Sequence, residues 1–211
     1  MKIVTQNLER CSSLYFPDAA FDVVAIATSA GGLKALSQIL LALPADFPVA
    51  ITIVQHLDPL HHSLLVPILS RRTKLIVKQA KAGEQLQSGT VYIAPPDWHL
   101  LVNPDGAIAL TQTERVNFTR PAADLLFESV ANSFKQRAIA VVLTGMGRDG
   151  AAGIKKVKQM GGTTIAQDKN TAEFRSMPNA AIQTQAVDLI LPLNQIPLTL
   201  VNLVGIKTEE S

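Results

Sequence analysis

The strongest constraint on the fold is a set of short, uninterrupted apolar runs separated by helical patterns. Asp22–Ala27, Val49–Val54 and Ala138–Leu143 are built mainly from Val, Ile, Ala and Leu, with no polar/apolar alternation. Runs of that kind suit strands buried on both faces of a parallel sheet. Leu75–Lys78, Thr90–Ala94, Thr163–Ala166 and Val187–Leu191 are weaker strand candidates. Between the strands, Leu33, Leu36, Leu40 and Leu43 follow a helical stripe that Pro44 ends. Pro121 suits the first position of a second helix, with Leu125, Leu126, Val130 and Phe134 as its apolar face. A third helix is expected from about Gly150 to Met160, stopping at Gly161-Gly162. Strands alternating with helices predict an α/β fold with a mostly parallel sheet. One segment departs from this pattern. His99–Asn103 and Ala107–Thr111 flank the turn sequence Asn103-Pro104-Asp105-Gly106, which reads as a β-hairpin.

Composition narrows the function. Of 211 residues, 47% are hydrophobic, enough for a sizeable core. Charged residues make up 17% and the net charge is +2, too little to point to a nucleic-acid binder. No apolar run is long enough to span a bilayer, and the N-terminus lacks the apolar core of a signal peptide, so a cytoplasmic protein is expected. The single cysteine, Cys11, excludes an internal disulfide and a cysteine-based zinc site. Residues 1–20 read as a tail or linker, 21–205 as one domain, and 206–211 as a C-terminal tail.

In an open parallel sheet, ligands bind beyond the carboxyl ends of the strands. After the first strand comes Thr28-Ser29-Ala30-Gly31-Gly32, after the second Gln55-His56, and after Ala138–Leu143 the loop Thr144-Gly145-Met146-Gly147-Arg148-Asp149-Gly150. A hydroxyl, an imidazole and a carboxylate are thereby expected on one edge, the inventory for acyl transfer. Ser29 also has a simpler reading as a helix cap, and so does Asp149. The order Ser…His…Asp differs from the Ser…Asp/Glu…His order of the α/β-hydrolases, and Ala27 and Ala30 stand where their elbow carries glycines. A dinucleotide site is disfavoured because Gly31-Gly32 is not Gly-x-Gly-x-x-Gly and Gln55-His56 offers no acidic ribose ligand. His56, Asp58, His61 and His62 fall close together, but Pro59 argues for a loop rather than a preset metal site. His99 reads as structural, Phe127 and Phe134 as core, and Lys34, Lys155, Lys156 and Lys158 as exposed helix faces.

The chain resembles the catalytic domain of the chemotaxis protein-glutamate methylesterases, the CheB family. Thr28–Gly32, Gln55-His56, Gly89–Pro95, Arg120–Phe127, Leu143–Gly150, Ala166–Asp168 and Met177-Pro178 carry the resemblance, in family order. The resemblance implies a three-layer α/β/α sandwich with a doubly wound sheet and a hairpin. It implies Ser29 as nucleophile, His56 as base and Asp149 as its orienter, with no cofactor or metal. Backbone N–H groups of Ala30, Gly31 and Met146 are expected around an oxyanion, and Arg120 near a substrate carboxylate. The implied substrate is a methylated glutamate on the cytoplasmic helices of a chemoreceptor, with glutamine deamidation as a further activity. A methyltransferase or a receiver domain, in this chain or a neighbouring one, is an implied partner. The roughly twenty residues before Asp22 are too few for a receiver domain, so a stand-alone enzyme or a segment of a longer protein is expected. The alternative is a non-catalytic signalling domain that keeps the fold. Thr28 departs from the small residue common at its place.

Overall fold

A computed structural model describes residues 21–56 and 63–205. The apolar runs become strands β1 (Val23–Thr28), β2 (Ala50–Gln55) and β7 (Ala138–Val142). The weaker candidates become β3 (Ile76–Gln79), β4 (Thr90–Ile93), β8 (Thr163–Gln167) and β9 (Leu189–Leu191). These form one seven-stranded sheet in the order β3-β4-β2-β1-β7-β8-β9, and every pairing in it is parallel. The hairpin forms separately as β5 (His99–Val102) against β6 (Ile108–Thr111).

The sheet has a core on each face, which makes the molecule a three-layer sandwich. On one face Val24, Ile26, Ile51 and Ile139 pack under α1 (Gly32–Ala42), α2 (Leu65–Ser70) and α6 (Ile196–Val204). On the other, Val23, Ala25, Ala27 and Val142 pack under α3 (Ala123–Phe134), α4 (Ala151–Gln159) and α5 (Ser176–Gln183), with the hairpin residues Leu100 and Ile108. Burial on both faces is why these strands carry no alternation. Phe127 and Phe134 lie in the second core as expected. At the amino edge, Arg137 donates to both oxygens of Asp22, at 2.7 and 2.6 Å, fixing where β1 and β7 start.

Helix boundaries differ from expectation in two ways. Pro121 is not the first residue of α3, which begins at Ala123. The segment before it is held by His99, whose Nδ1 accepts the N–H of Ala122 at 3.1 Å and whose Nε2 contacts the carbonyl of Glu114. His99 is wholly buried and structural, as its sequence position suggested. The helices α2, α5 and α6 were not expected: α2 and α5 are short, and α6 follows the last strand. No helix among the described residues is long and apolar enough to cross a membrane.

Candidate active site

The chain leaves β1 for β2 on one side of it, whereas β7 pairs on the other side. The reversal of strand order places the switch point, where open α/β sheets bind ligands, at the carboxyl ends of β1 and its neighbours. Register then does the local positioning. Thr28 pairs with Gln55 across β1 and β2, so Ser29 and His56 are the next residues on adjacent strands. The N–H of His56 donates to the Thr28 carbonyl at 3.1 Å, and the N–H of Ser29 donates to the Thr144 carbonyl, also at 3.1 Å.

Side chains reinforce this junction. Gln55 Nε2 donates to the carbonyls of both Ser29 and His56, at 2.8 and 3.0 Å, tying the two residues together. Thr28, the residue without an explanation in the sequence, is buried and donates its hydroxyl to the Thr144 carbonyl at 2.7 Å. Its methyl-bearing side chain and the Gln55 amide fill the space above Gly32, where an added Cβ would sit 2.0 Å from Gln55 Oε1 and 2.6 Å from Thr28 Oγ1. Ser29 does not cap the helix. The N-cap is Gly31, at φ 77°, and no side chain bonds the exposed N–H groups there. That left-handed turn favours glycine.

His56 Nε2 bonds Asp149 Oδ2 at 2.7 Å, with the imidazole 13% exposed and the carboxylate 2%. Nε2 is engaged by the carboxylate, so Nδ1 is the ring nitrogen left to face other groups. Among the described residues Ser29 Oγ makes no hydrogen bond to the ring. Asp149 does not cap its own helix, whose N-cap is Gly150. It caps α3 instead, accepting the N–H groups of Ala123 at 2.6 Å and Asp124 at 3.0 Å. Thr119 Oγ1 (3.3 Å) and Asn117 Nδ2 (3.4 Å) complete its shell. Asp124 returns the exchange by accepting the N–H groups of Gly150 at 2.9 Å and Gly153 at 2.8 Å, at the start of α4. Asn117 Nδ2 also bonds Asp124 Oδ2 at 2.8 Å.

The two carboxylates are pushed in opposite directions. Burial works against ionisation of Asp149, but the His56 hydrogen bond and the two backbone N–H groups outweigh it and hold its carboxyl below the usual range. Burial raises Asp124; the Gly153 N–H opposes the rise and the neighbouring Asp149 charge adds to it. Asn117, Thr119 and Asp124 are site residues that sequence reasoning missed. Asp124 alone carried a signal, as a carboxylate in the first turn of a helix.

Ala30, Gly31 and Met146 lie in the two loops that meet at Ser29. Among the described residues, none of their backbone N–H groups donates within the protein. The Met146 side chain is 61% exposed. Arg120 is placed otherwise than expected. Its Nε and Nη2 donate to the two carboxylate oxygens of Asp97 at 3.0 and 3.1 Å, and its Nη1 to the carbonyls of Gln112 and Thr113. Four contacts commit the guanidinium to the loop beside the hairpin, so it has little left to offer a substrate carboxylate. A cleft of about 990 Å³ opens on the Ser29 side. Among the described residues it is lined by Leu33, Leu41, Leu64 and Ile68, with Lys34 and Arg72 as cations and no carboxylate. Of the histidine-rich run, residues 57–62 lie outside the described residues.

Fold and site together define a class: a three-layer, parallel α/β protein that gathers a serine, a histidine and a buried aspartate at the carboxyl edge of its sheet. A sequence model of the CheB methylesterase family matches residues 24–200, and the chain belongs to that family. It is 40% identical over 176 residues to a relative from Leptospira interrogans, covering 83% of this chain and 91% of the relative. It is also 40% identical to the protein-glutamate methylesterase/protein-glutamine glutaminase of Thermotoga maritima and to the protein-glutamate methylesterase FrzG of Myxococcus xanthus. These matches cover 89% and 90% of this chain but 56% and 57% of those relatives, so the chain spans little more than half of their length. The crystal structure of the Thermotoga maritima CheB methylesterase catalytic domain superimposes with a TM-score of 0.84, at 40% identity, covering 87% of this chain and 99% of that one.

Proposed function

We propose that the chain is a serine hydrolase that removes methyl esters from glutamate side chains of chemoreceptors, with the same site able to deamidate receptor glutamines. The observation that carries this is the 2.7 Å pair of His56 with buried Asp149, set on the strand next to Ser29. Ser29 Oγ attacks the ester carbonyl carbon while His56, through Nδ1, takes the hydroxyl proton. Asp149 fixes the ring at Nε2 and stabilises the imidazolium. The oxyanion accepts hydrogen bonds from the free N–H groups of Ala30, Gly31 and Met146. Collapse expels methanol, protonated by His56, and leaves a glutamyl ester on Ser29. Water then attacks this ester, gives its proton to His56, and releases the glutamate carboxylate and the serine hydroxyl. With a glutamine substrate the leaving group is ammonia, and the second half is identical.

The cleft beside Ser29 supports a protein substrate, since its apolar walls with Lys34 and Arg72 suit a segment with acidic neighbours. The test is methanol release from a methylated receptor fragment by wild type, Ser29→Ala and Asp149→Asn. Ser29→Ala is expected to lose about 10⁴-fold or more in kcat while unfolding as wild type does. Retained turnover in that variant would remove Ser29 from the nucleophile's place. A wild type that folds and binds receptor without turnover would favour the signalling-domain alternative.

A further inference from the structure

One feature near the site is not needed by this chemistry. Val116 and Thr119 exchange backbone hydrogen bonds at 3.2 and 2.9 Å, closing a two-residue turn at Asn117-Phe118. Both central residues have positive φ, 51° and 64°. That is the pattern of a type I′ turn, in which asparagine is tolerated first and glycine is the default second. Here the second position holds a phenylalanine, and its side chain is 96% exposed. A bulky residue in the left-handed region is unfavourable, and an aromatic ring in water gains nothing in the isolated fold. Conformational cost retained without a compensating contact is a mark of function.

The turn is tied to the candidate site. Asn117 and Thr119, on either side of Phe118, both bond Asp149, so the tip of the turn is fixed to the carboxylate that holds His56. The second segment at Asp149, its own loop, presents Met146, also exposed. Phe118 and Met146 are therefore exposed apolar groups on the two segments that bond or carry Asp149, the carboxylate paired with His56. We infer that Phe118 is an apolar anchor for the body of the protein substrate, receiving an apolar side chain of the helix that bears the ester. The inference rests on the esterase reading above. It assigns Phe118 to recognition of the protein rather than of the ester group.

The experiment compares two esters and two variants. One ester is a methylated cytoplasmic receptor fragment; the other is N-acetylglutamate γ-methyl ester, which has no protein body. Phe118→Gly is expected to raise KM on the receptor fragment about tenfold or more, as loss of an interface anchor does. Its kcat/KM on the small ester is expected to stay within about twofold of wild type. Its Tm is expected to equal or exceed that of wild type, because glycine relieves the turn. Phe118→Leu keeps an apolar side chain and is expected to keep KM on the receptor within about threefold. An unchanged receptor KM in Phe118→Gly overturns the inference. So does a lowered Tm, which would make the ring a structural contact, and so does an equal loss on both esters, which would place its effect on the reacting groups. Wild type inactive on both esters would remove the esterase reading itself. Wild type active on the small ester alone would leave that chemistry standing and overturn the anchor.

Discussion

Replacing Asp124 by alanine tests the reciprocal capping on which the site is built. The side chain accepts three hydrogen bonds: two from backbone N–H groups of Gly150 and Gly153, at 2.9 and 2.8 Å, and one from Asn117 at 2.8 Å. Gly150 and Gly153 are both buried, so their N–H groups gain no full replacement from water. Each orphaned buried donor costs about 1–3 kcal/mol, and a lost helix cap about 1 kcal/mol. Removing a carboxylate that burial and the Asp149 charge already penalise returns part of that cost. The expected loss is therefore about 2–4 kcal/mol. For a domain of this size that lowers Tm by about 4–16 °C. Asp124→Asn keeps an oxygen for the two N–H groups but turns an amide toward Asn117, and is expected to cost about 1 kcal/mol. Urea unfolding followed by circular dichroism and by Trp98 fluorescence measures both variants. Asp149→Ala and the double variant complete a cycle whose coupling should exceed about 0.5 kcal/mol, because the two caps share the junction of α3 and α4. Alanine at 124 costing less than about 0.5 kcal/mol would refute the capping argument. Asparagine costing as much as alanine would show that charge, rather than the acceptor geometry, is what matters.

Three further outcomes are expected. In a carbon-13 titration of the aspartates, Asp149 should have its midpoint below the free value of about 3.9 and Asp124 above it. The sign follows: Asp149 contributes stability above its unfolded pKa and loses it as pH falls through its lower folded pKa, whereas Asp124 disfavours the folded state once ionised and is relieved on acidification. Midpoints in the reverse order would break this account of the network. Gly32→Ala should cost about 1–3 kcal/mol and reduce esterase activity, since the methyl displaces the Gln55 amide that ties Ser29 to His56; crystallography or calorimetry finding Gln55 undisturbed and stability unchanged would contradict it. Arg120→Lys should lose about 1–2 kcal/mol of stability from the broken two-pronged pair with Asp97, with KM on receptor unchanged; a rise in KM without a loss of stability would return Arg120 to substrate binding.

Much of the fold was legible because strands buried on both faces must be apolar throughout, and β1, β2 and β7 are. The hairpin was legible from its Asn-Pro-Asp-Gly turn. The start of α3 was misread because Pro121 sits ahead of the helix, in a segment held by His99. The functions of Thr28, Gln55, Asn117 and Thr119 had no local signature, and that of Asp124 showed only as a carboxylate in the first turn of a helix. Each acts through a partner far along the chain, such as the Thr28 hydroxyl on the Thr144 carbonyl 116 residues away.

What the sequence determined by itself was the kind of layer each segment makes and the residue types that follow each strand: Ser29, His56 and the loop ending in Asp149. Local propensity and hydrophobic pattern are properties of neighbouring residues, so they can be read in order along the chain. Only the tertiary structure decided that β1 lies between β2 and β7, which turns three distant strand ends into one site. It also decided that Asp149 caps α3 while Asp124 caps α4, that Arg120 is committed to Asp97, and that Phe118 stands in solvent beside the site. Those choices depend on hydrogen-bond donors and acceptors that must be matched across the fold, and such a match exists only once the layers have packed.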